Sequence, residues 1–144
     1  MDESGAMAAM SRELIEAGLD WRYTPPRIAA LVQDPETVAL VACDRSRIQG
    51  FAVMQFGDVH AHLALLCVQP TQQQRGIGRR LIGWLVESAE VAGIASIRLE
   101  LRADNAAALG FYRRIGFTQT KVVPGYYDGR IPALRMAMPL RAAT

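Results

Sequence analysis

LALLCVQPTQQQRGIGRR, residues 63–80, decides how this chain is read. An apolar run ends at Pro70, a polar connector follows, and Gln73-x-x-Gly76-x-Gly78 opens directly into an amphipathic segment. The first turn of a helix leaves N–H groups without intrahelical partners and carries the positive end of the macrodipole. Glycines at its mouth let the backbone close on a ligand. Together these features make a seat for phosphate, and Arg75, Arg79 and Arg80 add positive charge around it. Two common phosphate motifs do not fit. A Walker A loop needs Gly-Lys-Ser/Thr, and a dinucleotide fingerprint needs Gly or Ala where Leu81 stands. Taken alone, the turn also reads as a plain strand–helix connector.

Outward from the turn, Leu81, Ile82, Leu85, Val86 and Ala89 form one buried stripe of a helix over 77–92, and Gly93 stops it. Upstream, apolar and β-branched runs at 37–43, 48–56 and 62–68 are separated by short polar turns, which predicts an antiparallel meander. Further upstream, 5–18 has helical spacing, and Pro25-Pro26 opens a short helix over 27–33. Downstream, strand 97–101 turns Ile97, Leu99 and Leu101 to one face and Arg98, Glu100 and Arg102 to the other. Asp104-Asn105 caps a helix over 106–114 that Gly116 ends. Gly110 inside it costs about 1 kcal/mol relative to Ala. Strands 117–123 and 133–140 close the chain around a loop at 124–132 that holds Tyr126 and Tyr127. The order ααβββαβαββ predicts a mixed α/β (α+β) sheet in a single domain spanning 1–144.

Composition narrows the function classes. A net charge of +2 is too small to argue for nucleic acid, and 51% hydrophobic with 21% charged residues is ordinary for a globular chain. Cys43 and Cys67 lie in apolar runs and read as small core residues. No Cys/His spacing suggests a metal, and His60 and His62, with no third ligand near, read as surface or edge residues. Met-Asp-Glu is the wrong charge for a signal peptide, and no apolar run approaches the roughly 18–20 residues of a membrane span. The expectation is a cytoplasmic protein without membrane or nucleic-acid partners.

The pattern Gln/Arg-x-x-Gly-x-Gly/Ala between a strand and a helix resembles the acetyl-CoA pyrophosphate loop of the GNAT N-acetyltransferase superfamily. The stretches IRLELRADNAAALGFYRRIGF and YYDGR…ALRMAMPL resemble the bacterial ribosomal-protein alanine N-acetyltransferases, and the likeness covers roughly residues 60–140. It implies a GNAT-like, mostly antiparallel sheet flanked by helices. That fold opens with a strand before its first helix, and this chain opens almost directly into the helix. The first strand is missing or replaced, which leaves a sheet edge where a second copy could pair.

The resemblance also assigns roles. Acetyl-CoA is the implied co-substrate, with no metal. Its pyrophosphate would sit on the backbone N–H groups of Gln74, Arg75, Gly76, Ile77, Gly78 and Arg79, beside Gln73. Leu66, Cys67 and Val68 would pair with the pantetheine arm as an added strand, and the Val68 N–H would polarise the acetyl carbonyl. Asn105 would bond the same arm. Tyr112 is the implied acid for the leaving thiolate and Glu100 the implied base; the bland readings are a packed core tyrosine and an exposed strand glutamate paired with Arg98 or Arg102. A carboxylate of ordinary pKa ~4.3 is a weak base unless burial raises it or water relays the proton. Tyr126 and Tyr127 resemble a pair at the acceptor mouth. Ile131-Pro132 departs from the acidic residues that relatives often carry there.

Chemistry favours one acceptor class. An α-amine with pKa ~8 is roughly 10% neutral at pH 7, whereas a lysine at ~10.4 is well under 0.1% neutral. That chemistry suits an N-terminal amine or a small amine of low pKa better than lysine. The resemblance implies acetyl transfer to a primary amine by direct attack and alone tips the acceptor toward a protein or peptide N-terminus. The competing readings are a small-molecule amine acetyltransferase and a non-catalytic acyl-CoA-binding sensor.

Overall fold

The computed structural model describes residues 4–16, 22–45, 47–70, 73 and 76–140. Helix α1 (Ser4–Met10) continues into a π-helical turn, Ser11–Ile15, and α2 spans Pro25–Gln33. Strands β1 (Thr37–Asp44), β2 (Arg47–Phe56) and β3 (His60–Val68) follow, then α3 (Ile77–Val91), β4 (Ser96–Arg102), α4 (Ala106–Ile115), β5 (Thr118–Tyr127) and β6 (Ile131–Pro139). They form one six-stranded sheet in the order β1-β2-β3-β4-β6-β5. Every neighbouring pair is antiparallel except β3–β4. The expected mixed, mostly antiparallel sheet is therefore present, and no strand precedes β1 among the described residues. No described helix is long and apolar enough to cross a membrane.

Each face of the sheet carries its own core. Ala52, Met54, Ala61, Leu63, Ile97, Leu99, Leu134 and Met136 pack under the stripe of α3, whose buried residues are Ile77, Leu81, Ile82, Leu85 and Ala89. On the other face, Phe51, Val53, Leu65 and Cys67 pack against Met7, Met10 and Ile28 of the two N-terminal helices. Strand β3 contributes to both. Met54 pairs with Leu63 but Val53 with Leu65, so Ala64 is an extra residue on β3. Such a bulge shifts the facing of every later residue on its strand. Leu63 faces α3 whereas Leu65 and Cys67, at the same sequence parity, face α1 and α2.

The parallel pair β3–β4 is short. It registers only at His60↔Ser96, Ala61↔Ile97 and His62↔Arg98. Beyond these residues β4 follows β6, pairing Leu99 with Met136 and Leu101 with Leu134, while β3 stays with β2. The two central strands separate, and a cleft opens between them.

Three expectations need correction. The loop expected at 124–132 is shorter. Strand β5 runs through Tyr127 and only Asp128–Arg130 turn, so Tyr126 and Tyr127 are strand residues. Pro124 and Gly125 are tolerated because β5 is an edge strand whose register breaks between Val123 and Tyr127. Cys43 is exposed and belongs to no core, whereas Cys67 is buried as expected. Of the helix expected over 5–18, residues 11–15 form the π turn, and residues 17–18 lie outside those described.

Candidate active site

The cleft holds about 590 Å³. Leu66, Cys67, Val68, Gln73, Gly76, Ile77, Gly78, Arg79, Glu100, Asn105, Tyr112 and Tyr127 all line it. The sequence expectations thus converge on one space. Gln74 and Arg75 lie outside the described residues. Tyr126 lies beside the cleft and touches Glu100.

The end of β3 presents free backbone to this space. Gln69 donates its N–H to the Gln49 carbonyl on β2 at 2.8 Å. Successive residues of an antiparallel strand alternate the side to which their amides point. Val68 and Leu66 therefore turn their N–H and C=O groups away from β2, toward the gap left by β4. The Gln73 side chain donates to the Val68 carbonyl at 3.1 Å, which ties the connector to the strand end and leaves the Val68 N–H open.

The two glycines of the turn do different work. Gly76 is the N-cap of α3 at φ 82, and a Cβ there would meet nothing within 4 Å. It supplies the left-handed turn and leaves open space before the helix. Gly78 is a packing residue. A Cβ on it would come within 3.1 Å of the Phe111 ring and 3.6 Å of Val68, so only glycine lets α3, α4 and β3 meet this closely. The first N–H inside the helix to find a partner is that of Arg80, on the Gly76 carbonyl at 3.0 Å. The N–H groups of Ile77, Gly78 and Arg79 point out of the helix mouth into the cleft.

Helix α4 forms the opposite wall. Asn105 caps it, its Oδ1 accepting from the Ala108 N–H at 3.0 Å. That commits the carbonyl, so the amide NH2 is what Asn105 offers a ligand. Tyr112 sits between Phe111 and Phe117, edge-on to both at 5.3 and 5.5 Å. Burial first, then the neighbouring Tyr127 and Cys67, pushes its phenol far above the ordinary value. It holds its proton at any working pH. Burial alone pushes the Cys67 thiol up to about 12.

Glu100 stands where β4 leaves β3, on the face opposite Leu99 and Leu101. His62 Nε2 lies 2.8 Å from its Oε1, the Tyr126 hydroxyl donates to the same oxygen at 3.4 Å, and Arg135 Nε donates to Oε2 at 3.4 Å. Arg98 and Arg102, the partners expected from the sequence, are engaged elsewhere, with His60 and Asp104. The hydrogen bond from His62 holds the Glu100 carboxyl below its ordinary value; burial pushes the other way, and the charges of His62 and Arg135 add to the lowering. Burial alone would make this carboxylate a stronger base, but its His62 and Arg135 contacts outweigh that effect.

Sequence reasoning missed two residues here. Tyr23 is half-buried beside Glu100 and Tyr126, and burial chiefly raises its phenol. Arg22 bridges to Asp128 at 3.4 Å, which ties this segment to the β5–β6 turn. His62, read as a surface or edge residue, touches Glu100 directly across the β3–β4 contact, a pairing that no local sequence signal announces.

The Acetyltransferase (GNAT) family pattern matches residues 7–117. The chain belongs to this family. Among GNAT relatives, the [Ribosomal protein bS18]-alanine N-acetyltransferase of Escherichia coli (strain K12) is 37% identical over 97 residues, covering 65% of this chain and 66% of the relative. The chain's match thus spans just under two thirds of that relative's length. The crystal structure of the ribosomal-protein-S18-alanine N-acetyltransferase from Escherichia coli superposes at a TM-score of 0.82 with 28% identity, covering 99% of this chain and 90% of that one. Nourseothricin acetyltransferase gives a TM-score of 0.71 with 31% identity over 75% of this chain and 68% of its own. The GNAT fold expected from the sequence is therefore the fold observed.

Proposed function

We propose that this GNAT protein takes the acetyl group of acetyl-CoA and transfers it, by direct attack, to the α-amine of a protein or peptide N-terminus. The observation that carries this is the cleft itself. It has strand backbone at Leu66 and Val68 turned away from β2, open helix N–H groups at Ile77–Arg79, a buried phenol and a carboxylate, in one space of about 590 Å³.

Each group has a task. The N–H groups of Ile77, Gly78 and Arg79 take the pyrophosphate. Leu66 and Val68 pair with the pantetheine amides, helped by the Asn105 NH2. The amine nitrogen bonds to the thioester carbon while the Val68 N–H holds the oxygen that gains charge. The carbon–sulfur bond then breaks, the thiolate takes the Tyr112 proton, and the second proton shed by the nitrogen as it becomes an amide returns the Tyr112 phenolate to its neutral form. A raised phenol suits this because a thiolate released into the same apolar surroundings is also made more basic, as the Cys67 thiol at about 12 illustrates. Glu100 takes the proton lost by the attacking ammonium, directly or through water. A lowered carboxylate is a weak base, so an α-amine, already partly neutral at pH 7, suits it better than lysine. The carboxylate and the ring faces of Tyr126 and Tyr127 fit an arriving ammonium. Likeness to the ribosomal-protein alanine acetyltransferase supports the peptide reading.

Ile131-Pro132 at the mouth and the likeness to nourseothricin acetyltransferase favour a second reading, a small-molecule amine. A second copy pairing along the β1 edge fits either. The test is thiol release from acetyl-CoA with N-terminal alanine peptides, lysine peptides and small polyamines. Release with the alanine peptides alone supports the first reading, release with polyamines alone the second. Binding of acetyl-CoA without release to any amine overturns both in favour of an acyl-CoA sensor.

A further inference from the structure

Glu100 faces two spaces. Besides the cleft, it lines a second cavity of about 530 Å³ with His60, His62, Arg98 and Arg135. The cavity lies where the sheet has no apolar cover. The cluster beneath α1 and α2 draws on β1, β2 and β3 and on no residue of β4 or β6. On that face β4 and β6 carry Arg98, Glu100 and Arg135 instead. Glu100 and Arg135 are register partners, and Arg98 pairs with Ala137 two residues along, so the two guanidiniums are diagonal neighbours. Backbones so related lie about 7–8 Å apart, within reach of two long side chains.

The charges here do not balance. Arg135 Nε donates to Glu100 Oε2 at 3.4 Å, and His62 Nε2 occupies Oε1 at 2.8 Å. Arg98 has no carboxylate partner among the described residues, whereas Arg22, Arg102 and Arg130 each have one. Its Nη2 donates to His60 Nε2 at 2.8 Å, and His60 Nδ1 lies 2.7 Å from Ser96 Oγ. Accepting from a guanidinium requires a lone pair on Nε2, so His60 is neutral and holds Arg98 without cancelling its charge. One of the five N–H donors of Arg98 is spent on His60, and the planar fork keeps others that match a carboxylate. Glu100 is the one carboxylate lining either cavity among the described residues. The second cavity is therefore net positive even with both imidazoles neutral.

We propose that Arg98 and Arg135 bind a carboxylate of the acceptor, so that peptides with aspartate or glutamate at the second or third residue are preferred. The inference rests on the reading that an N-terminal amine is acetylated beside Glu100. Spacing sets the position. Arg98 stands two residues from Glu100 on β4, about 6.6 Å along the strand. An extended peptide with its amine at Glu100 and its chain over this face covers the same distance by its third residue. The long side chain of Arg98 reaches the second as well. A basic segment meets two guanidiniums here, and Ile131-Pro132 at the mouth supplies no carboxylate to receive it. An acidic segment meets complementary charge.

The experiment offers acetyl-CoA and otherwise neutral alanine-led peptides that carry aspartate or asparagine at the second, third or eighth residue. Aspartate at the second or third residue lowers KM about fivefold against asparagine, the scale of a partly exposed ion pair, with kcat unchanged. At the eighth residue it changes nothing. Arg98→Gln brings the ratio to about one, and Arg98→Glu inverts it in favour of lysine, which a merely structural role for Arg98 would not do. A preference that survives in both variants overturns the subsite. Equal KM for the aspartate and asparagine peptides, with both turned over, also overturns it while leaving acetyl transfer intact. Calorimetric titration of the same peptides into the protein saturated with CoA reads the site without chemistry. An aspartate preference that disappears in Arg98→Gln supports the subsite even if no peptide is acetylated, and equal affinities overturn it.

Discussion

The two halves of the β3–β4 pair make opposite use of the same backbone. From His60 to His62 the strands are joined in parallel register, and Ala61 and Ile97 lie buried in the core under α3. From Leu63 onward the strands part, and the amides of Leu66 and Val68 face open space. The joined half pairs its backbone and buries Ala61 and Ile97; the parted half turns the backbone of Leu66 and Val68 toward the cleft without a strand partner. A fold tolerates this where a ligand completes the ladder. Stability and function therefore map onto adjacent segments of the same two strands, and substitutions separate them.

The largest effect is expected in the cleft that the parted half opens, where Tyr112 reaches in from α4. Tyr112→Phe lowers kcat by about 10²–10⁴-fold and leaves the thermal midpoint nearly unchanged, because the ring stays packed between Phe111 and Phe117. Steady-state kinetics and calorimetry on one preparation check both statements. In the joined half the pattern inverts. Ile97→Ala, at a site 2% exposed, costs about 2–5 kcal/mol of unfolding free energy, read by urea titration, and impairs turnover only through lost folded protein.

At the helix mouth, Gly76→Ala forces a left-handed φ of 82 on a residue with a Cβ, at about 1–2 kcal/mol. A Cβ there meets no protein atom, so any further loss in acetyl-CoA affinity by isothermal titration comes from the ligand's own need for that space. A loss of stability with unchanged affinity would break the link between this turn and the cofactor. The smallest effect is in acid. His62 and Arg135 hold the native Glu100 carboxyl below its ordinary value. Its stabilisation is present above the ordinary carboxylate range and is lost as pH falls through the lowered native value. Urea midpoints measured from pH 7 downward should therefore fall less steeply in Glu100→Gln than in wild type.

Much of this was legible in the chain because the signals are local. The stripe Leu81, Ile82, Leu85 and Ala89, the Asn105 cap and the alternation of Ile97, Leu99 and Leu101 all meet their expected environments. The features that escaped reading depend on partners distant in sequence. Ala64 swaps the faces of β3 without changing its apolar character, so the bulge is visible only in the register with β2. Pro124 and Gly125 read as loop, and only the edge position of β5 keeps them in a strand. The pairing of His62 with Glu100 joins residues 38 apart, across the parallel β3–β4 contact. That most of the expected residues share one cleft was legible from motif order, whereas the electrostatic state of Glu100 was not, because the groups that set it come from β3 and β6.

The unequal fate of the two cysteines gives the molecule a chemical handle. The thiolate is the form that alkylates. Cys67 is buried with its thiol pushed up to about 12, whereas Cys43 is exposed near the end of β1, the sheet edge left without a further strand among the described residues. A maleimide should therefore add once to the folded protein and twice after denaturation, matching its two cysteines. A dye carried at position 43 would sit beside that edge, where its emission would report another chain docking along β1.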